Sequence, residues 1–356
     1  MVMKDFVNAQ LEKAPLYNDK WCYEAGVFSK ALIDIYENSG DEKYLMRAKE
    51  MVDKFVNDDG SIATYNRDAY NLDNICMGRT ALRLYRIYKS EKYLRACEYL
   101  LEQILLQPRT PEGGFWHKKI YPNQMWLDGV FMACPFICEC AAWTGRSEYF
   151  ALAAKQIELI YEKTLDESGL CRHAWDSSRE SKWCEKDTGR SKHVWGRAMG
   201  WYAMAISDVL AVLPKEHKDY NAVSEVYKKL MSAVINNRSK VGLWYQVMDA
   251  PEKEGNYLEC SCSAMLSYAF IKGARLGLLT DNFESAGNES FAAIKNTFLT
   301  ADKDGAPTLS GICKVAGLGG TPYRDGSYEY YIGEKVCCGD YKGVAPFMML
   351  IALIKG

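Results

Sequence analysis

Asp128 stands inside Met-Trp-Leu-Asp-Gly-Val-Phe, with apolar residues on both sides. Such neighbours strip water from a carboxylate and disfavour its charged form. A carboxyl that keeps its proton near neutrality is what a general acid needs. The competing reading is an ordinary helix cap, because aspartate is a favoured N-cap residue. Asp73 heads Asp-Asn-Ile-Cys-Met-Gly-Arg in the same relative place, one helix earlier. If both helices face one cleft, the two carboxylates share a site and push their pKa values apart.

Two long segments surround these carboxylates with aromatic and basic residues. One runs from Gly113 to Gly129 and carries Trp116, His117, Lys118, Tyr121 and Trp126; the other, from Leu170 to Trp201, carries His173, Trp175, His193, Trp195, Arg197 and Trp201. Aromatics interleaved with hydrogen-bonding groups suit sugars, whose ring faces stack while their hydroxyls need partners. His173 fits a base, a donor to substrate, or a buried structural histidine. Arg197, among Gly196 and Ala198-Met199-Gly200-Trp201, calls for an anion, either a substrate carboxylate or a structural partner. With four histidines and no HExxH, metal-dependent hydrolysis is not indicated. The glycine-rich Ala316 to Tyr331 stretch lacks the strand-before, helix-after setting of a phosphate loop, and a flap over the cleft fits it better.

The elements that hold these residues repeat. Glu42-Lys43-Tyr44-Leu45 recurs as Glu91-Lys92-Tyr93-Leu94, and Tyr149, Tyr220 and Phe283 mark matching points. Each marker opens an amphipathic helix, and a more apolar helix precedes it: roughly 21–36, 73–88, 124–143, 194–213, 258–276 and 343 to the end. Asn38-Ser39-Gly40-Asp41, Thr144-Gly145-Arg146 and Gly277 punctuate the turns. An open solenoid would end in polar capping repeats, but the last helix, VAPFMMLIALIKG, is among the most apolar. A closed ring of six hairpins, an all-α (α/α)6 barrel forming one domain over 1–356, covers it. A short helix near Tyr328 is also expected.

Composition narrows the classes. Hydrophobic residues make up 48% and the net charge is −2, from 44 basic and 46 acidic residues mixed along the chain. That mixture offers no footprint for nucleic acid or anionic lipid. The amino terminus meets charge too early for a signal peptide, and the longest apolar runs (129–138 and 343–354) fall short of a membrane span. Thirteen cysteines without paired CxxC spacing read as reduced, buried side chains in a cytoplasmic protein.

Taken in order, DNICMGR, GFWHKKIYPNQMWLDG, HVWGRAMGWYAM, GLWYQVMD, GNYLECSCSAM and AGLGGTPYRDGSYEYY resemble glycoside hydrolase family 105, the unsaturated rhamnogalacturonyl hydrolases, from about Trp21 to Phe347. The resemblance implies the same barrel, with Asp128 as catalytic acid and Asp73 as its partner carboxylate. It also implies substrate contacts at Tyr23, His117, Lys118, Trp126, His173, Arg197, Trp201 and Arg324. The implied partner is a small unsaturated oligosaccharide left by pectin degradation, handled without metal or cofactor by a monomer or homodimer. Its rivals are an unsaturated glucuronyl hydrolase of glycosaminoglycan type, a sugar 2-epimerase needing a second histidine base, and a non-catalytic oligosaccharide-binding protein.

Overall fold

Each repeat marker turns out to be the buried anchor of an outer helix. Tyr44, Tyr93, Tyr149, Tyr220 and Phe283 lie in the first turns of their helices with their rings buried. The computed structural model describes residues 2–13 and 20–355, so Met1 and Gly356, the outer limits of the expected domain, lie outside the described residues. In chain order the helices are α1 Val2–Lys13, α2 Tyr23–Ser39, α3 Glu42–Asp53, α4 Gly78–Tyr88, α5 Glu91–Leu106, α6 Leu127–Thr144, α7 Ser147–Thr164, α8 Gly196–Leu210, α9 Tyr220–Asn236, α10 Cys260–Arg275, α11 Asp281–Phe298, α12 Tyr328–Gly333 and α13 Tyr341–Lys355.

An inner ring runs α2, α4, α6, α8, α10, α13 and back to α2, each packed on the next. The outer helices α3, α5, α7, α9 and α11 pack against the inner helices before them. Sequence chemistry sorts the layers. Every residue of α8 is buried, as expected for a helix apolar all round, whereas α9 buries one stripe, Tyr220, Val223, Tyr227, Leu230, Met231 and Val234.

Helix α1, absent from the expected set, supplies the sixth outer position. Phe6 meets Phe347 of α13 edge-on at 5.3 Å, and Tyr44 of α3 donates to Asn8 at 2.9 Å. Closure of the ring thus uses both chain ends, and the apolar α13 is covered by α2, α10 and α1. Helix α6 spans 18 residues and is long and apolar enough to cross a membrane, beyond the shorter run read from the sequence, but 72% of it is buried as a stave of the barrel.

After most outer helices the chain returns through a tight turn tipped by a glycine at positive φ, as at Gly60 (86°), Gly113 (95°) and Gly169 (79°). A side chain at such a φ is strained, which is why glycine recurs there. The strands are short: β1 Gln124–Trp126 with β2 Ala174–Asp176, β3 Leu299–Ala301 with β4 Pro307–Leu309, and β5 Ile312–Cys313 with β6 Val336–Cys337, all antiparallel. Two of the expected helix starts are corrected here. The segment 124–126 is strand β1, so α6 begins at Leu127; Asp73 lies in a 3-10 turn, Leu72–Ile75, ahead of α4.

Candidate active site

A backbone ladder across the top of the barrel sets the register of the site. Leu72 N–H donates to the His117 carbonyl (3.1 Å), His117 N–H to Gln124 (2.8 Å), Leu127 N–H to His173 (3.1 Å) and His173 N–H to His193 (3.2 Å). Residues as far apart in sequence as Leu72 and His193 are thereby placed in one row above the inner helices.

Asp128 is the second residue of α6, and Trp126 is the N-cap residue, with no side-chain capping bond. The capping alternative therefore fails. The Asp128 side chain is 14% exposed, and its Oδ2 lies 3.2 Å from Nε2 of the fully buried His173. The pair is close but not aligned as a hydrogen bond, since neither atom has a hydrogen-bond partner among the described residues. Catalytic contacts in ligand-free sites are often loose in this way.

Asp73 is wired differently. Lys118 Nζ sits 2.5 Å from its Oδ2 and His117 Nε2 3.6 Å from its Oδ1. Burial pushes the Asp73 carboxyl up, but the Lys118 ammonium and His117 outweigh it and hold the group below its ordinary range. Burial in turn pulls Lys118 down, and the Asp73 carboxylate more than restores it. Asp73 is thus kept as an anion.

Burial dominates at His117, pushing it down to about 4 against the attraction of Asp73. The unfolded chain takes up this proton below about 6.5 while the folded chain refuses it until about 4. Stability therefore declines as pH falls through that window, by up to about 1.4 kcal/mol per pH unit. Urea unfolding at pH 7, 6 and 5 checks this, with His117→Gln expected to flatten the slope; an equal slope in that variant removes His117 as the cause.

Aromatic rings line the row. Trp126 stacks with His117 (4.6 Å, 13°) and with Tyr121 (5.0 Å, 18°), and meets His173 edge-on at 5.3 Å. His117 and His173 thus share one tryptophan, so a second histidine does stand near His173. Arg324 donates to Tyr121 at 2.9 Å and to the Gly319 carbonyl at 3.0 Å. Its glycine-rich segment is docked rather than standing off, with Leu318 buried among Trp126, Ala174, Trp183 and Cys184. Tyr23 opens α2; burial, then Glu24, Asp73 and Asp128, keep its phenol protonated against the pull of Arg197. Those influences place Tyr23 electrically among both carboxylates and the guanidinium.

Arg197 has the structural partners that one of its readings expected. Its Nε donates to Ser261 at 2.9 Å, Nη2 donates to the Cys313 carbonyl and lies 3.8 Å from Glu259, and Nη1 is buried without a hydrogen-bond partner among the described residues. Glu259, fully buried, accepts from the backbone of Cys262 and Cys313 (2.7 and 2.9 Å) and was missed from sequence. The structure does not bring Trp201 into the row. It lies one turn below Arg197 on α8, 1% exposed, with its ring 4.5 Å from Phe131 in the barrel wall. Tyr331 and Trp195, which flank His173, were also missed as site residues; Tyr331 donates or accepts at His173 Nδ1 at 2.8 Å. The signal for Tyr331 was the aromatic run ending the glycine-rich stretch.

A double ring of helices with two unlike carboxylates at one mouth is the build of an α/α-toroid glycoside hydrolase. The model for Glycosyl Hydrolase Family 88 matches residues 2–354, and the chain belongs to that family. A solved glycoside hydrolase of family 105 from C. acetobutylicum superposes with a TM-score of 0.95 at 38% identity, over 98% of each chain. The protein named unsaturated rhamnogalacturonyl hydrolase YesR of Bacillus subtilis is 25% identical over 264 residues, 72% of each sequence. The unsaturated glucuronyl hydrolase of Bacillus sp. GL1 shares the fold, with a TM-score of 0.69 at 17% identity over 95% of this chain and 86% of that one.

Proposed function

We propose that the protein hydrates the C4=C5 double bond of an unsaturated (4,5-dehydro) galacturonyl residue at the non-reducing end of rhamnogalacturonan oligosaccharides, and so releases that residue. The observation that carries this is the asymmetry of the carboxylates. Asp73 is held ionised by Lys118, while the ion-pair neighbour of Asp128 among the described residues is a histidine rather than a fixed cation. One group serves as a permanent anion and the other is left to move a proton.

The double bond and ring oxygen form an enol ether, which takes its proton on carbon. Asp128 delivers a proton to C4, leaving an oxocarbenium-like centre at C5. The Asp128 carboxylate then receives a proton from water as the hydroxyl adds to C5. The resulting hemiketal opens, and the hemiacetal exposed at C1 releases the neighbouring sugar, so every proton is returned. Two carboxylates acting on the glycosidic bond itself belong to the ordinary schemes. Asp73, Tyr23 and the free Nη1 of Arg197 would meet the substrate's polar groups, with Lys118 or Arg197 facing the uronate, and Trp126 and Arg324 bounding the ring.

The galacturonyl choice is supported by the likeness to the family 105 structure and to YesR. An unsaturated glucuronyl residue is the second reading, because a glucuronyl hydrolase carries the same fold. In this reading the chain works as one catalytic domain over 1–356, as monomer or homodimer, in pectin breakdown in the cytoplasm. Ten buried cysteines, their thiols pushed up by burial at Cys76, Cys134 and Cys171 among others, suit a reducing compartment.

The test follows the ultraviolet band of the unsaturated uronate with lyase-made disaccharides. The band of the rhamnogalacturonan disaccharide should vanish, at least about tenfold faster than that of a glucuronyl disaccharide, as a pocket with placed polar groups discriminates. A band that persists for hours in both rejects the activity; a reversed preference exchanges the substrate.

A further inference from the structure

His173 is held between two groups of opposite character. Its Nε2 faces Asp128 Oδ2 at 3.2 Å, and its Nδ1 lies 2.8 Å from the Tyr331 hydroxyl. The imidazole is fully buried, walled by Trp126 and by Trp195 at 4.8 Å. A neutral imidazole carries one proton, and its partners choose the nitrogen that bears it.

Both ends of the ring select the same answer. Among the described residues His173 Nδ1 is the hydrogen-bond partner of the Tyr331 hydroxyl, so a phenol proton directed anywhere else would be buried and unpaired. Tyr331 therefore donates, and Nδ1 is the bare acceptor. The proton then sits on Nε2, the nitrogen 3.2 Å from the Asp128 carboxylate, and a small reorientation of either side chain turns that approach into a hydrogen bond, where a bare lone pair would repel the anion. We infer that Tyr331 is a positioning residue, which fixes His173 as the Nε2–H tautomer so that this N–H stabilises the Asp128 carboxylate formed as its proton leaves.

The mounting of Tyr331 fits that task. Its ring is buried, and its backbone carbonyl accepts from Gln246 Nε2 at 3.1 Å, while Gln246 Oε1 accepts from Trp195 Nε1 at 3.1 Å. One buried carboxamide thus holds both the tyrosine and the tryptophan that flank His173. Tyr331 belongs to α12, whose start is set by Ser327 accepting from Tyr330 N at 3.1 Å, with Asp325 accepting from Ser327 N at 3.0 Å. The glycine-rich stretch that gave no phosphate loop therefore ends in a group that reaches the acid through one imidazole.

The role in catalysis rests on Asp128 as the acid; the tautomer does not. The experiment combines nitrogen-15 spectra of histidine-labelled protein with kinetics of Tyr331→Phe. In the wild type His173 should show a protonated Nε2 and a bare Nδ1. In Tyr331→Phe that signature should give way to a mixture of tautomers, and kcat should fall about tenfold, the worth of about one hydrogen bond, with KM changed less than about twofold. A wild-type His173 protonated on Nδ1 overturns the inference, and this reading stands even where the variant fails to fold. An unchanged tautomer and kcat in a folded Tyr331→Phe overturns it as well. Absence of turnover in the wild type would instead reject the proposed function, leaving the spectra to judge the pairing of Tyr331 with His173.

Discussion

Asp128→Asn should lower kcat by roughly three orders of magnitude, within the range that a lost general acid removes, while leaving the barrel intact. The contacts of Asp128 explain why the two effects separate. It caps nothing, it bonds to no Lys or Arg among the described residues, and its 3.2 Å approach to His173 can be kept by an amide oxygen. The one stabilising effect at risk is that of a negative charge in the first turn of α6, worth about 0.3–1 kcal/mol. Urea unfolding should therefore agree with the wild type to within about 1 kcal/mol, and binding of the unsaturated disaccharide should persist. An Asp128→Asn enzyme with wild-type kcat removes the assigned role; one that is unfolded shows a structural duty that the geometry does not contain. Asp73 makes the contrast plain, because Lys118 and His117 both lean on it, and removing its charge would strand a largely buried ammonium.

The barrel was legible because its signals are local. An aromatic residue recurs where α3, α5, α7, α9 and α11 begin, a tyrosine after Glu-Lys in the first two, and the fold buries its ring each time. Periodicity along one helix is a property of neighbouring residues, so α3, α5, α7, α9 and α11 begin at or within a few residues of the positions expected. Asp128 was legible for a similar reason, since its apolar flanks are its own sequence. What failed to show were features decided by partners far along the chain. The segment 124–126 looks like helix because Met-Trp-Leu continues the apolar pattern, yet 174–176 pairs with it as a strand. Helix α1 gives little sign of its place until α13 arrives over 300 residues later. His173 and Tyr331 are separated by 158 positions and share no motif. Trp201, which the resemblance places against substrate, turns its side chain into the wall, a choice made by Phe131 on another helix.

Asp208→Ala should destabilise the fold by about 3–5 kcal/mol, a large part of the usual stability of a domain. Asp208 is 4% exposed and sits eleven residues along α8 from Arg197, about 16 Å down the barrel. Arg79 reaches its Oδ2 at 2.8 Å and also Glu139 at 2.8 Å, Tyr268 donates to its Oδ1 at 2.9 Å, and Lys272 pairs with that same oxygen. Asp208 thereby ties α8 to α4 and α10, and Arg79 carries the link on to Glu139 of α6. Burial pushes the Asp208 carboxyl up, but Lys272 and Arg79 overcome it and hold the group far below the ordinary carboxylate range. Its contribution is therefore complete at neutral pH and is lost as pH falls below about 4, where the unfolded chain takes up the proton first. Alanine leaves the buried Arg79 with Glu139 alone and the partly buried Lys272 without its anion, and a buried charge that loses its partner costs more than the pair ever contributed. Replacing the charges together, as Asp208→Leu with Arg79→Met, Lys272→Met and Glu139→Gln, should recover most of the loss. The separation from the Arg197 end of α8 means that kcat of the remaining folded Asp208→Ala protein should stay within about twofold of wild type. Urea unfolding followed by circular dichroism decides the matter, and a loss under about 1 kcal/mol would show that the lower mouth of the barrel is held by apolar packing alone.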